Sequence, residues 1–324
     1  MRNRIEEVIQ RKRKFSVFPI VCADHCAHLL NKNFKRVATN GKVLAETLEY
    51  GYNLYGYDMV LVFSDPYVEA EAMGCELKYA PYPMIASCLD FNKSAGQGCS
   101  PPSIINQVNS MAYNRIEEII TAAKILKEDV DVPVFVSIKG PFSLACFLYG
   151  IEEFLKVLLD NEKTAKSVIK MALDFQIGYL ERLLQIPVHI FIGDPLASAS
   201  IISPLLFKKF AFDPLKILIR KAKNAGIFAG IHICGDTNPI IEFLDDLKAD
   251  VLSIEDTTLK TRTLKMGGVS TITLLSGNRE KIKKEIEFAL REEFLILSTS
   301  CDVPVNTPSE NIKTMIEIAR KYEN

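Results

Sequence analysis

Residues 227–236 read IFAGIHICGD. Successive side chains of a strand point to opposite faces. One face here carries Phe228, Gly230, His232 and Cys234, and the other carries Ala229, Ile231 and Ile233. The aliphatic set suits a surface covered by helices. His232 and Cys234 then point the other way, at the C-terminal end of the strand. What that second side faces depends on the rest of the chain.

The rest repeats the pattern. Strands are expected at FSVFPIVC (15–22), YDMVLVF (57–63), VPVFVSIK (132–139) and VHIFIGD (188–194). IFAGIHIC (227–234), DVLSIE (250–255), VSTITLLS (269–276) and FLILSTSC (294–301) complete eight. A helical segment follows each, from VLAETLEYGYNLYG (43–56) to NIKTMIEIARKYE (311–323), the last behind a capping-box pattern at Thr307, Pro308 and Glu310. Eight β–α units with no linker predict one α/β domain over residues 1–324, a (β/α)8 TIM barrel. No GxGxxG follows any strand, which argues against an open dinucleotide-binding sheet. Residues 78–103 are too long for a simple βα loop and read as an excursion, a hairpin over the barrel mouth. The opening MRNRIEEVIQRKRK has no apolar core, so it reads as an amphipathic N-terminal helix covering one end, not a secretory signal.

Composition narrows the function. Across 324 residues, 39 Lys and Arg balance 40 Asp and Glu, so no nucleic-acid footprint is expected. No apolar run reaches the roughly 20 residues of a membrane span. The eight cysteines read as thiols of a reducing, cytoplasmic compartment. Cys75, Cys88, Cys99 and Cys146 are expected to be packing residues.

The C-terminal ends of barrel strands are where such folds place chemistry. Cys301 ends the eighth strand and Glu255 the sixth, on the same face as Val251 and Ser253. With His232 and Cys234 they give one imidazole, two thiolates and one carboxylate on one rim, a zinc set. The competing reading packs His232 and Cys234 in the core and leaves Glu255 solvated, but a buried histidine there would need polar partners. Neighbouring Asp256 competes with Glu255 for the fourth place. A second polar cluster, CADHCAH (22–28), follows the first strand. Asp24 or His25 is expected to meet substrate, with Cys22, Cys26 and His28 as packing. Asp65 and Asp194 each precede a proline, so they either cap a turn, line the substrate pocket or support the metal-bound histidine. Lys139, before GPFS, either neutralises an anionic substrate or is a solvated rim lysine.

HICGDTNPI, SCDVPVNTPSENI, GDPLASASIISP, GPFSLA and YVEAEAMGC resemble the methylcobamide–thiol methyltransferases related to uroporphyrinogen decarboxylase. The resemblance runs from the first strand to the final helix. It implies that His232, Cys234 and Cys301 bind Zn2+, with an acid, placed at Glu255, completing the site in some members. It implies methyl transfer between a methylcobamide and a small-molecule thiol ionised on the metal. FPIVCADHCAH lacks the arginines with which the decarboxylases hold substrate carboxylates, which counts against that lyase activity. No Asp-x-His-x-x-Gly corrinoid signature is present, so the cobamide is expected on a partner corrinoid protein. The remaining alternative is a non-catalytic binding relative that holds zinc structurally.

Overall fold

The β-branched runs spaced along the chain form one parallel sheet. In the computed structural model, which describes residues 4–10, 12–13, 15–91 and 114–322, ten strands are present. They are β1 (Ser16–Phe18), β2 (Val60–Val62), β3 (Glu76–Tyr79), β4 (Pro83–Ser87) and β5 (Val134–Lys139). Then come β6 (His189–Gly193), β7 (Ala229–His232), β8 (Val251–Ser253), β9 (Leu264–Val269) and β10 (Phe294–Thr299). Eight of these curl in the order β1-β10-β9-β8-β7-β6-β5-β2, the neighbour order of a (β/α)8 barrel. Helices follow the strands and bury their apolar stripes on the sheet's outer face. Gly41–Tyr55 and Asn114–Asp129 lie against each other beside β2.

No ladder joins β1 to β2, and a side chain closes the seam instead. The buried Asp58 accepts the Val17 N–H (2.7 Å) and the Ser16 hydroxyl (3.1 Å). Its own N–H donates to the Val17 carbonyl at 2.9 Å. Arg320, the last residue of the helix Ser309–Arg320, donates to both Asp58 carboxylate oxygens at 2.8 and 2.7 Å. At the opposite end of the strands, the short helix Arg4–Ile9 brings Glu6 to within 3.0 Å of His189 Nε2.

Register aligns Lys139 with Gly193, Gly193 with His232, and His232 with Ser253. These four positions form a row across β5 to β8 at the C-terminal ends of the strands.

Two expectations need correcting. The seventh strand is β9, Leu264–Val269, and most of the expected VSTITLLS forms the helix Thr271–Ser276. Gly267 and Gly268 lie inside that strand at φ +141° and +111°. A Cβ at Gly268 would stand 2.4 Å from Ala289 Cβ, so the missing side chain lets the helix Arg279–Arg291 approach. The capping box does not form, because the final helix starts at Ser309 after Pro308 and the Thr307 hydroxyl has no partner. The excursion after β2 contains the antiparallel pair β3–β4, but residues 92–113, Cys99 among them, lie outside the described residues.

Candidate metal centre

β7 ends at His232, and Cys234 follows two residues later on the same side. The turn at Gly235 has φ +69°, and a Cβ there would meet the Ser200 hydroxyl at 2.7 Å. Glycine therefore lets the chain bend at once, which leaves Cys234 at the mouth. Cys301 lies two residues beyond β10. One ligand atom from each of His232, Cys234 and Cys301 falls within 4.8 Å of the others, and all three residues are half-buried. This is the only three-ligand group of its kind among the described residues.

The imidazole is fixed from behind. Its Nδ1 lies 3.0 Å from Ser253 Oγ, while Nε2 faces Cys234 Sγ at 3.2 Å. Ser253 was missed as a site residue. It shares the Glu255 face of the sixth strand, but only the register shows it to be the neighbour of His232. The two thiols share a hydrogen bond. Cys301 donating to Cys234 holds the Cys234 thiol below its ordinary range, against burial that pushes it up. The same contact, followed by burial, pushes Cys301 up to about 12. A cation held by both sulfurs would release their protons.

Glu255 is exposed at the edge of this cluster and not within it, because Oε1 accepts the Gly235 N–H at 2.6 Å. Asp256 turns away, accepting from the backbone and hydroxyl of Thr258 at 2.8 and 2.7 Å.

The other expected substrate contacts separate. Asp24 lies half-buried at the mouth, with Oδ1 on the His25 N–H at 2.8 Å. Burial raises its carboxyl. Burial first and then the Asp24 charge push Asp302 well above the usual carboxylate range, and Asp302 Oδ1 has no partner. His25 is not a pocket residue. It is fully buried, Nδ1 donates to the Val305 carbonyl at 3.0 Å, and Nε2 lies 2.8 Å from the Tyr55 hydroxyl. Asp65 is likewise internal. It pairs with the buried guanidinium of Arg115 and accepts the Tyr67 N–H at 3.0 Å. Asp194 lies beneath the helix Pro141–Tyr149, accepting the Ser143 N–H at 2.7 Å, as the negative end of a helix cap. Its carboxylate does not reach the His232 ring, although its N–H donates to the His232 carbonyl at 2.9 Å. Lys139 is not a solvated rim residue, since only 5 % of it is exposed.

Comparison with known proteins fits this geometry. The chain is 27% identical over 303 residues to the methylcobamide:CoM methyltransferase MtaA of Methanosarcina barkeri, covering 88% of this chain and 86% of that protein. It is 27% identical over 290 residues to the methylcobamide:CoM methyltransferase MtbA of Methanosarcina mazei, covering 86% and 84%. A uroporphyrinogen decarboxylase of Thermodesulfovibrio yellowstonii is 24% identical over 316 residues, covering 90% and 87%. A solved methyltransferase from Methanosarcina mazei superposes with a TM-score of 0.88 at 24% identity, over 99% of this chain and 98% of that one, so the two share a fold. The uroporphyrinogen decarboxylase (URO-D) family model matches residues 3–322, essentially from the first helix to the last. By that match, the chain belongs to the uroporphyrinogen decarboxylase family.

Proposed function

We propose that the protein is a corrinoid-dependent methyltransferase, moving a methyl group between a methylcobamide on a separate corrinoid protein and a thiol activated on Zn2+. The observation that carries this reading is the convergence of His232, Cys234 and Cys301 within 4.8 Å. One borderline and two soft donors suit Zn2+ and disfavour Mg2+ or Ca2+. Three protein ligands leave a fourth position for an external thiol, and Glu255, engaged with the Gly235 N–H, stands beside it. When bound, the ion supplies a positive charge that keeps a substrate thiol ionised at neutral pH.

The chain's own residues orient and shield. Ser253 holds the His232 ring so that Nε2 looks into the cluster. The Gly235 N–H holds Glu255 at its edge. Asp24, at the mouth, contacts substrate without holding the metal. In the transfer, sulfur attacks the methyl carbon as the cobalt–carbon bond breaks. The electron pair stays on cobalt, which passes from Co(III) to Co(I), and no covalent enzyme intermediate is needed. The names of the methanosarcinal relatives support the cobamide and the thiol. A decarboxylase would have no use for the soft-ligand cluster.

Metal analysis tests the reading. Wild type is expected to hold about one zinc per chain, as three ligands and one exchangeable position imply. Cys234→Ala and Cys301→Ala should each lose it, and methylcobalamin should be demethylated by wild type in the presence of a suitable thiol. Equal zinc in all three proteins would overturn the assignment.

A further inference from the structure

Two cysteines lie opposite one another at the foot of the β3–β4 hairpin. That antiparallel pair begins with Glu76 against Ser87. One step outward in the same register sets Cys75 against Cys88. Directly opposed residues of an antiparallel pair have Cα atoms about 4.5–5.5 Å apart, within the span of about 4.4–6.8 Å that a disulfide covers. Both sulfurs meet the C-terminal end of the helix Pro141–Tyr149. Cys75 Sγ lies 3.7 Å from the Phe147 carbonyl, and a Cβ built at Gly150 would stand 3.6 Å from Cys88 Sγ. The chain after Cys88 is tied to the same helix end, because the Leu89 N–H donates to the Leu148 carbonyl at 2.8 Å. Three separate contacts therefore hold the two thiols side by side.

Their surroundings differ, and the difference sets an order. Cys75 is buried, and burial followed by the Cys88 charge pushes its thiol up to about 12. Cys88 is half-buried and lines a surface groove of about 520 Å³. Phe91 and Tyr149 stack in that groove with ring centres 4.7 Å apart, and the exposed Glu153 and Lys156 border it. A groove of this volume admits a small ligand. Cys88 can be reached from solvent, and Cys75 can be reached through Cys88.

We propose that Cys75 and Cys88 form a thiol–disulfide exchange site, with Cys88 as the entry thiol and Cys75 as the resolving one. The oxidant it takes is a low-molecular-weight disulfide seated in the groove. The Cys88 thiolate attacks one sulfur of that disulfide, forming a mixed disulfide, and the released thiolate takes up the Cys88 proton. Bonded Cys88 carries no charge, so Cys75 ionises more readily than before. Cys75 then attacks the Cys88 sulfur, the bond to the adduct breaks, and the second half leaves as a thiol with the Cys75 proton. Two protein thiols lose two electrons, which the small disulfide gains. The product closes the hairpin at its foot. The exchange uses none of the metal ligands, so it stands apart from the methyl-transfer reading.

The test is equilibration of the reduced full-length protein with oxidised glutathione, followed by alkylation of the remaining thiols and peptide mapping by mass spectrometry. Wild type should acquire a Cys75–Cys88 bond that dithiothreitol reverses. Cys75→Ser should stop at a glutathione adduct on Cys88, and Cys88→Ser should leave Cys75 reduced over the same period. Oxidised wild type should melt about 3–5 °C above the reduced protein, the scale expected for closing a loop of this length. Cys88 bridged to another cysteine, or both thiols still reduced in excess oxidised glutathione, overturns the site. Equal adduct formation in the two variants overturns the order of attack. A bridge that lowers the melting temperature overturns the register that sets the cysteines opposite. Should Cys75→Ser not fold, the wild-type map and Cys88→Ser still decide.

Discussion

Ser253 Oγ and His232 Nδ1 lie 3.0 Å apart on adjacent strands, and this one contact decides which imidazole nitrogen faces Cys234. Rotating the ring would cost the hydrogen bond and turn Nε2 away from the thiols. Ser253→Ala should therefore leave the fold intact and weaken zinc retention by about 10-fold or more, as for other partners of metal-bound histidines. Competition against a chelator measures this, and unchanged affinity would show that packing alone orients the ring.

Asp65 and Arg115 form a buried pair, with Arg115 also donating to the Ala38 carbonyl at 3.0 Å and to Glu71 at 2.9 Å. Removing Asp65 leaves the buried guanidinium with only the more exposed Glu71 as counter-charge. Asp65→Ala should cost about 3–5 kcal/mol in urea denaturation. The protein that remains folded should keep its metal, because this acid anchors the chain between β2 and the helix Asn114–Asp129. Metal loss from folded Asp65→Ala would instead tie Asp65 to the site.

Asp194 has no exposure, and burial pushes its carboxyl up to about 6 despite the bonds from Ser143. In the unfolded chain the same group titrates near its ordinary value of about 3.9. The folded protein thus binds this proton more tightly, and the stabilisation is full below about pH 4 and lost as pH rises through about 6. The loss is on the order of 3 kcal/mol. Asp194→Asn keeps an acceptor for the Ser143 N–H without the charge. Its stability relative to wild type should rise between pH 4 and pH 7.5 in urea titrations. A constant difference across that range would exclude this group as the source.

Gly268→Ala meets two obstacles, a φ of +111° and a contact of 2.4 Å with Ala289 Cβ. It should lower stability by about 2 kcal/mol or more. Adding Ala289→Gly should recover only the steric part, because the backbone strain at 268 persists. Full recovery in a thermal melt would mean that the contact is the whole cost.

The period-two alternation of IFAGIHIC was enough to bring His232 and Cys234 together, and a cysteine at the end of another strand was enough to suggest Cys301. Glu255 was read as a ligand because its strand face is right. Its actual engagement depends on a turn at Gly235 whose free N–H competes for the carboxylate. Ser253 could not be seen without inter-strand register, which one sequence does not encode locally. The ionic partner of Asp65 lies 50 residues away, beyond a segment that carries no periodic signal. β9 was misplaced because a strand interior with two glycines looks like a turn until the helix packed against it is known.

The closure of the seam by Asp58 has a consequence for how the chain is made. The residue that clamps it, Arg320, is 262 positions away. While the chain leaves the ribosome, β1 and β2 appear long before the residue that clamps them. Until then both strands present open edges, the surfaces most prone to pairing with other chains. A nascent chain stalled before residue 320 can contain all ten strands and the Asp58 bonds to Ser16 and Val17, and still lack the cation that matches the buried Asp58 charge.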